Sequence, residues 1–328
     1  MIPCFGNREI SMKQMGLAEA FADPRLGRNE RLAKIAALID WSRLARFAKK
    51  ARKGETGRPP YDALSMLKAL YLQALYDLSD PGLEEALLDR LSFRRFCGFG
   101  LEDATPDETT ICRFRQAAAR AGVLEACFDE VNRQLEARGL MLKKGTLMDA
   151  TLVAATHNPP SRAAGMGTKL EREPDADWTN KAGKSYFGYR FHIGMDEGSG
   201  LIRRLLFLPA RVSESEVADE LICGDERAVY ADRGYEKKAR RDRLKAEGIK
   251  DRIMHRRHRY MSELPRWQKR RNDLIARRRA PVEAVFSALK RLYGGARTRC
   301  HSLAANAADY TAFATVYNLR RASMHPAT

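Results

Sequence analysis

Two acidic residues stand in company unusual for acids, and a third opens a helix. Asp149 lies inside the apolar run Leu147-Met-Asp-Ala-Thr-Leu-Val153, which reads as a strand buried on both faces. A carboxylate there is costly unless it is paired or faces a cation. Asp232 closes a second strand-like run, Ala228-Val-Tyr-Ala-Asp232, and is followed by Arg233-Gly-Tyr. Glu283 falls in the first turn of an amphipathic helix, on which Val282, Val285, Phe286, Leu289 and Leu292 recur at offsets of three and four. Pro281 suits the first helical position, where its missing N–H costs nothing. Converging, the three carboxylates would offer hard oxygen ligands to two divalent cations. Two such ions clamp the attacking and leaving oxygens of a phosphodiester displacement. Arg279 and Lys290 flank Glu283 and are candidates to hold a DNA backbone. Ordinary readings stand beside these: a helix-start acid serves the dipole, a strand aspartate can be a hydrogen-bonded structural group, and the two cations can be generic basic surface.

Charge placement favours a nucleic-acid partner. The chain has 328 residues and a formal charge of +17. Residues 233–300 hold 23 Lys and Arg against 7 Asp and Glu, so this block carries nearly all of the excess. A localised basic block is the electrostatic footprint of a nucleic-acid binder. No apolar run reaches the ~18–20 residues of a membrane span, and the N-terminus has no apolar signal core. A cytoplasmic protein is expected, associated with the nucleoid. The six cysteines make no C-x-x-C pair, which argues against zinc and for reduced thiols. The histidines form no H-x-x-x-H pattern.

These residues must be positioned by two kinds of structure. Residues 1–28 read as a loose arm, and Gly54 to Pro60 as a linker. The rest of the first ~140 residues is helical by pattern: 31–50, 61–78, a helix capped by Ser79 or Asp80, a short turn with Phe93 and Phe96, a helix capped by Asp107, and one from about 123 to Gly139. Two of these could form a DNA-reading unit, and a plain bundle fits equally well. From 145 the period changes. A strand at 145–155 is followed by a loop-like stretch over 158–184. Next comes a hairpin of Tyr186–Ile193 and Leu201–Leu208. A helix from Ser213 to about Cys223, a strand at 227–232, a basic helix over 235–247 and a brief strand at 250–254 follow. Residues 255–279 are polar and basic. The Glu283 helix and a last helix over 306–322 close the chain. The order β-β-β-α-β-α-β-α is an α/β layer architecture with a mixed five-stranded sheet. In it the first strand, the fourth strand and the late helix can meet at one edge.

Several motifs, in order, resemble one family. Gly57-Arg-Pro-Pro-Tyr61, Leu78-Ser-Asp-Pro-Gly-Leu-Glu-Glu-Ala-Leu87, Arg90-Leu-Ser-Phe-Arg-Arg-Phe96 and Asp107-Glu-Thr-Thr-Ile-Cys-Arg-Phe114 look like the N-terminal helical domain of bacterial insertion-sequence transposases with a DDE active site, of the IS-five type. Met148-Asp-Ala-Thr-Leu152 resembles the first Asp motif and Ala231-Asp-Arg-Gly-Tyr235 the second. Arg279, Glu283 and Lys290 resemble the third, with Ala276 where the family often carries tyrosine. The resemblance implies a helical N-terminal domain over 1–140, for end binding or dimerisation, and an RNase H-like catalytic domain over 141–328. It implies catalysis and metal binding by Asp149, Asp232 and Glu283, with Arg233, Arg279 and Lys290 on DNA. Two Mg2+ ions, replaceable by Mn2+, would serve hydrolysis at element ends and attack of the freed 3′-hydroxyl on target DNA. The implied partners are terminal inverted repeats, target DNA and a second copy of the chain. A non-catalytic DNA-binding regulator and a nuclease without strand transfer are the competing readings.

Overall fold

The computed structural model describes residues 27–51, 60–157, 171–181, 183–257 and 260–324. Most of the expected arm and linker, and the first part of the 158–184 stretch, lie outside these. Helices come first: α1 Glu30–Leu38, α2 Ser42–Ala48, α3 Ala63–Tyr76, α4 Asp80–Asp89, α5 Leu91–Cys97, α6 Glu108–Arg120 and α7 Val123–Ala137. Their starts are set by side chains that satisfy the free N–H groups of a first turn. Asn29 accepts from Leu32 N, Asp62 from Ser65 N, Ser79 from Gly82 N and Asp107 from Thr110 N. The expected single helix over 31–50 is broken in two. Asp40 takes the Ser42 N–H at 3.0 Å, and the Trp41 indole donates back to the Ala36 carbonyl. A local side-chain acceptor has outcompeted the helical hydrogen bond.

The sheet follows: β1 Thr146–Ala154, β2 Asp177–Lys181, β3 Lys184–Asp196, β4 Ile202–Pro209, β5 Ala228–Ala231 and β6 Lys250–Ile253. Antiparallel pairing joins β1, β3 and β4, and parallel pairing joins β1, β5 and β6. This is the RNase H-like arrangement, mixed α/β after an all-helical N-terminal part. It has six strands rather than five. The extra one, β2, is the polar segment Asp-Trp-Thr-Asn-Lys, which pairs with the first part of β3. Nothing apolar alternates in it, so periodicity could not show it. At Gly188 the chain passes from the β2-paired half of β3 to the half paired with β4. Its φ is 148° and a Cβ there would lie 2.2 Å from the Val153 carbonyl, so only glycine fits.

Among the later helices, α8 Glu214–Val217 is a single turn continued by a 3-10 turn to Leu221, shorter than the helix expected to Cys223. Next come α9 Lys238–Ala246, α10 Arg266–Arg279, α11 Pro281–Leu292 and α12 Leu303–Ala322. Helix α10 was not legible. Only Ile275 is buried on it, so no apolar stripe marks it. It abuts α11 at Ala280, whose backbone stays helical (φ −48°, ψ −35°).

Helix α12 organises the core. Tyr310 through Leu319 is buried without a break, the pattern of a helix enclosed on all sides. It packs against α3, α6 and α7 on the helical side and against β4 on the sheet side. One apolar cluster therefore runs from Leu32 through Phe191 to Ala322. A buried amide pair crosses it: Asn318 donates to Asn132 Oδ1 (2.9 Å) and to the Ile202 carbonyl (2.8 Å), and accepts from Ile202 N (2.8 Å). The opposite sheet face carries a smaller cluster with Met148, Val229, Ala231, Tyr235 and Leu244.

Candidate active site

The register of two strands places the first two acids. β1 and β5 run parallel with Thr146 opposite Val229 and Leu147 opposite Tyr230. Continued by two residues, this sets Asp149 level with Asp232, on neighbouring strands about 4.8 Å apart. Both belong to the face of Leu147 and Tyr230, because side chains alternate along a strand. Asp149 is held by its environment. Its Oδ1 accepts from Ala150 N at 2.8 Å, and its Oδ2 lies 2.9 Å from Arg279 Nη1. Burial pushes the Asp149 carboxyl up; Arg279 opposes that and the nearby Asp232 charge adds to it. Asp232 caps the turn Arg233–Tyr235, its Oδ1 accepting from Gly234 N at 2.7 Å.

Glu283 is brought to the same strand by its helix. Arg279, one helical turn before it, reaches Asp149. Lys290, two turns after it, donates to the Leu152 carbonyl of β1 at 3.0 Å. The helix α11 therefore lies along β1 with Glu283 between two contacts to that strand, while Val282, Val285, Phe286 and Leu289 bury its inner stripe. The Glu283 carboxylate itself is exposed and makes no hydrogen bond or ion pair with the described residues. The ligand atoms of Asp149, Asp232 and Glu283 are not all within 4.8 Å of one another. The structure thus pairs Arg279 with Asp149 and sets Asp232 at the end of the neighbouring strand, while the Glu283 carboxylate contacts neither aspartate.

The remaining DNA candidates are placed differently. Arg233 is exposed on the turn beside Asp232. Lys290 is half-buried, and burial together with Lys181 lowers its pKa. It borders a cleft of about 510 Å³ shared with Lys181, Trp178 and Tyr186. Within the basic block, Arg240 is buried and held by Asp219, and Arg241 and Arg271 pair with Asp251. Those cations are structural. Lys237, Lys238, Arg256 and Arg257 instead line an open cleft of about 770 Å³, bordered by His255, whose ring stands edge-on to the exposed Trp267 of α10.

Three residues near the aspartates were not singled out from sequence: Glu214, Arg190 and Lys181. Glu214 pairs with Arg190 at 3.3 Å, and the charges of Asp149 and Lys181 reach it. No local motif marks them, since a Glu after Ser213 reads as an ordinary helix start. A separate group, Cys223, Asp225 and Glu226, is compact enough to hold a metal, but Arg203 and Lys143 already neutralise its acids.

An RNase H-like sheet with Asp149 on one central parallel strand and Asp232 at the end of the next offers oxygen ligands of the kind that hard divalent cations take. Residues 141–319 match the family described as Transposase DDE domain, and residues 21–117 match Transposase domain (DUF772). The chain belongs to the DDE transposase family, whose members cleave DNA and transfer its strands with divalent metal ions. Among solved structures, a piggyBac transposase synaptic complex with hairpin DNA is similar at 10% identity. The match covers 90% of this chain and 73% of that one with a TM-score of 0.43, a likeness too distant to bear on the site.

Proposed function

We propose that Asp149, Asp232 and Glu283 form the catalytic centre and hold two Mg2+ ions, for which Mn2+ can substitute. The observation that carries this is the parallel register, which sets Asp149 level with Asp232 while Arg279, one turn from Glu283, rests on Asp149. The donor set fits. Two carboxylates, one on β1 and one at the end of β5, in a partly buried place, the first of them paired with an arginine, suit a hard cation that accepts oxygen ligands. Bound there, the ions would lower the pKa of the attacking water or 3′-hydroxyl and steady the leaving 3′-oxygen. The protein's part is positional. Ala150 N and Gly234 N each fix one oxygen of an aspartate, so the other oxygens keep set directions. Arg279 has its Nε buried without a hydrogen-bonded partner among the described residues, and we assign it to a phosphate oxygen next to the scissile bond. Lys290, tied to the Leu152 carbonyl, holds α11 against β1 and borders the cleft of Lys181, Trp178 and Tyr186. Arg233 sits where DNA leaving Asp232 would pass.

The substrate on this reading is the terminal inverted repeat of the element and then a target duplex. Residues 1–140 serve as the end-binding and dimerising part and 141–328 as the catalytic part, two copies acting together. Duplex DNA is held by the open cations of the 233–300 block, Lys237, Lys238, Arg256 and Arg257 first. The test is a gel assay with end-containing DNA, Mg2+ and a target plasmid. Asp149→Asn, Asp232→Asn and Glu283→Gln are each expected to lose cutting and joining while binding ends normally in EDTA. Wild-type rates for Glu283→Gln would remove Glu283 from the centre. Cut ends without joined product in the wild-type protein would leave a nuclease.

A further inference from the structure

Glu214 stands outside all three acidic motifs, yet it is the acid whose carboxylate lies beside Asp232. The position that a Cβ on Gly234 would take is 2.8 Å from Glu214 Oε2 and 3.0 Å from Asp232 Oδ1. The two oxygens thus flank one point, on the side chain-free edge of Gly234. The other oxygen of Glu214, Oε1, is the one that meets Arg190, whose Nη2 in turn donates to Thr179 on β2 at 3.2 Å. One oxygen is therefore oriented by an arginine that is itself held, and the other faces Asp232 across Gly234; as with Glu283, the ligand atoms of Glu214, Asp149 and Asp232 are not all within 4.8 Å of one another. Metal-binding carboxylates are commonly oriented in this way by a second layer of hydrogen bonds.

A second observation comes from Tyr235. Its ring is fully buried, and its hydroxyl has no hydrogen-bond partner among the described residues. Burial raises its pKa, and the charges of Glu214, Asp149 and Asp232 raise it further, in that order.

We propose that Glu214 is a further metal-binding carboxylate of the centre, oriented by Arg190 and kept open to Asp232 by Gly234. The proposal rests on the reading of Asp149 and Asp232 as metal ligands. It would make the strand β2, through Thr179 and Arg190, part of the support of the metal site.

The experiment is Mn2+ binding to the full chain without DNA, read by loss of the free-ion paramagnetic resonance signal, together with melting temperatures in EDTA. Glu214→Gln is expected to weaken Mn2+ binding tenfold or more without lowering the melting temperature in EDTA. Gly234→Ala keeps every ligand but places a methyl group between Glu214 and Asp232. It is expected to weaken Mn2+ binding as well, the flexible end of Glu214 yielding so that the fold survives. If Glu214 serves only Arg190, Glu214→Gln lowers the melting temperature and Mn2+ binding stays at the wild-type level in both variants; that result overturns the proposal. Asp232→Asn separates the two readings. If it weakens Mn2+ binding and Glu214→Gln does not, Glu214 alone is wrong. If it changes nothing, the aspartate pair is not the metal site and the proposal falls with it.

Discussion

Neutralising Asp232 is expected to stabilise the metal-free protein while ending its response to metal. Two carboxylates on adjacent strands, roughly 5 Å apart, repel by about 3 kcal/mol at an effective dielectric of about 20. Arg279 offsets part of this through Asp149, and solvent reaches the half-buried Asp232, so about 1–2 kcal/mol of relief remains. Asparagine keeps an oxygen for the Gly234 N–H, so the turn that Asp232 caps is preserved. For a chain of this length that relief corresponds to a rise in melting temperature of about 1.5–3 °C. In the wild-type protein, Mg2+ at about 100 times its dissociation constant adds about 2.7 kcal/mol, or about 4 °C. Asp232→Asn should show nearly none of that gain. The assay is calorimetric melting of both proteins at neutral pH, in EDTA and in Mg2+. A variant that melts lower than wild type in EDTA, or that keeps the full Mg2+ gain, would refute the arrangement argued from the β1–β5 register.

Other outcomes follow from the same structure. Replacing Lys237, Lys238, Arg256 and Arg257 together should flatten the log–log salt dependence of duplex binding by up to about 0.9 for each phosphate that is no longer neutralised; replacing Arg240 and Arg271 should instead lower stability, which thermal melting of the two variants distinguishes. Asn318→Leu strands the Ile202 N–H and Asn132 Oδ1 inside the core and should cost about 2–4 kcal/mol in urea unfolding. Asp80 makes an acid-sensitive ion pair. Burial raises its pKa, but hydrogen bonds from Arg115 and Gln73 and the charge of Arg115 outweigh that and hold it below the usual carboxylate range. Its stabilising effect is therefore complete above an unfolded pKa of about 3.9 and lost as pH falls through the lower folded value. Asp80→Asn should lower stability at pH 7 and shallow the acid limb of a stability–pH curve.

Much of the frame was written locally. Caps at Ser79 and Asp107, the apolar runs of β1 and β5 and the stripe of α11 are short-range patterns, so most element types and their order were legible from residues alone. Two kinds of feature were not. Elements without an apolar period, β2 and α10, are held by pairing and by packing on distant strands, which no local window contains. The break after Ile39 turns on one aspartate accepting a neighbouring N–H.

What the chain alone determined is which residues are able to do the chemistry. An acid in an apolar strand is conspicuous because its desolvation must be balanced by something, and that holds whatever the fold. What only the tertiary structure decided is which of them meet. A one-residue change in the β1–β5 register would move one aspartate to the opposite face of the sheet. The observed register sets Asp149 and Asp232 level and brings Arg279 onto Asp149. It also brings Glu214, from a single turn of helix, beside Asp232 across Gly234. Such meetings depend on strand pairing and packing across separations of 18 (Glu214 to Asp232), 83 (Asp149 to Asp232) and 130 (Asp149 to Arg279) residues, where sequence spacing carries no information about distance in space.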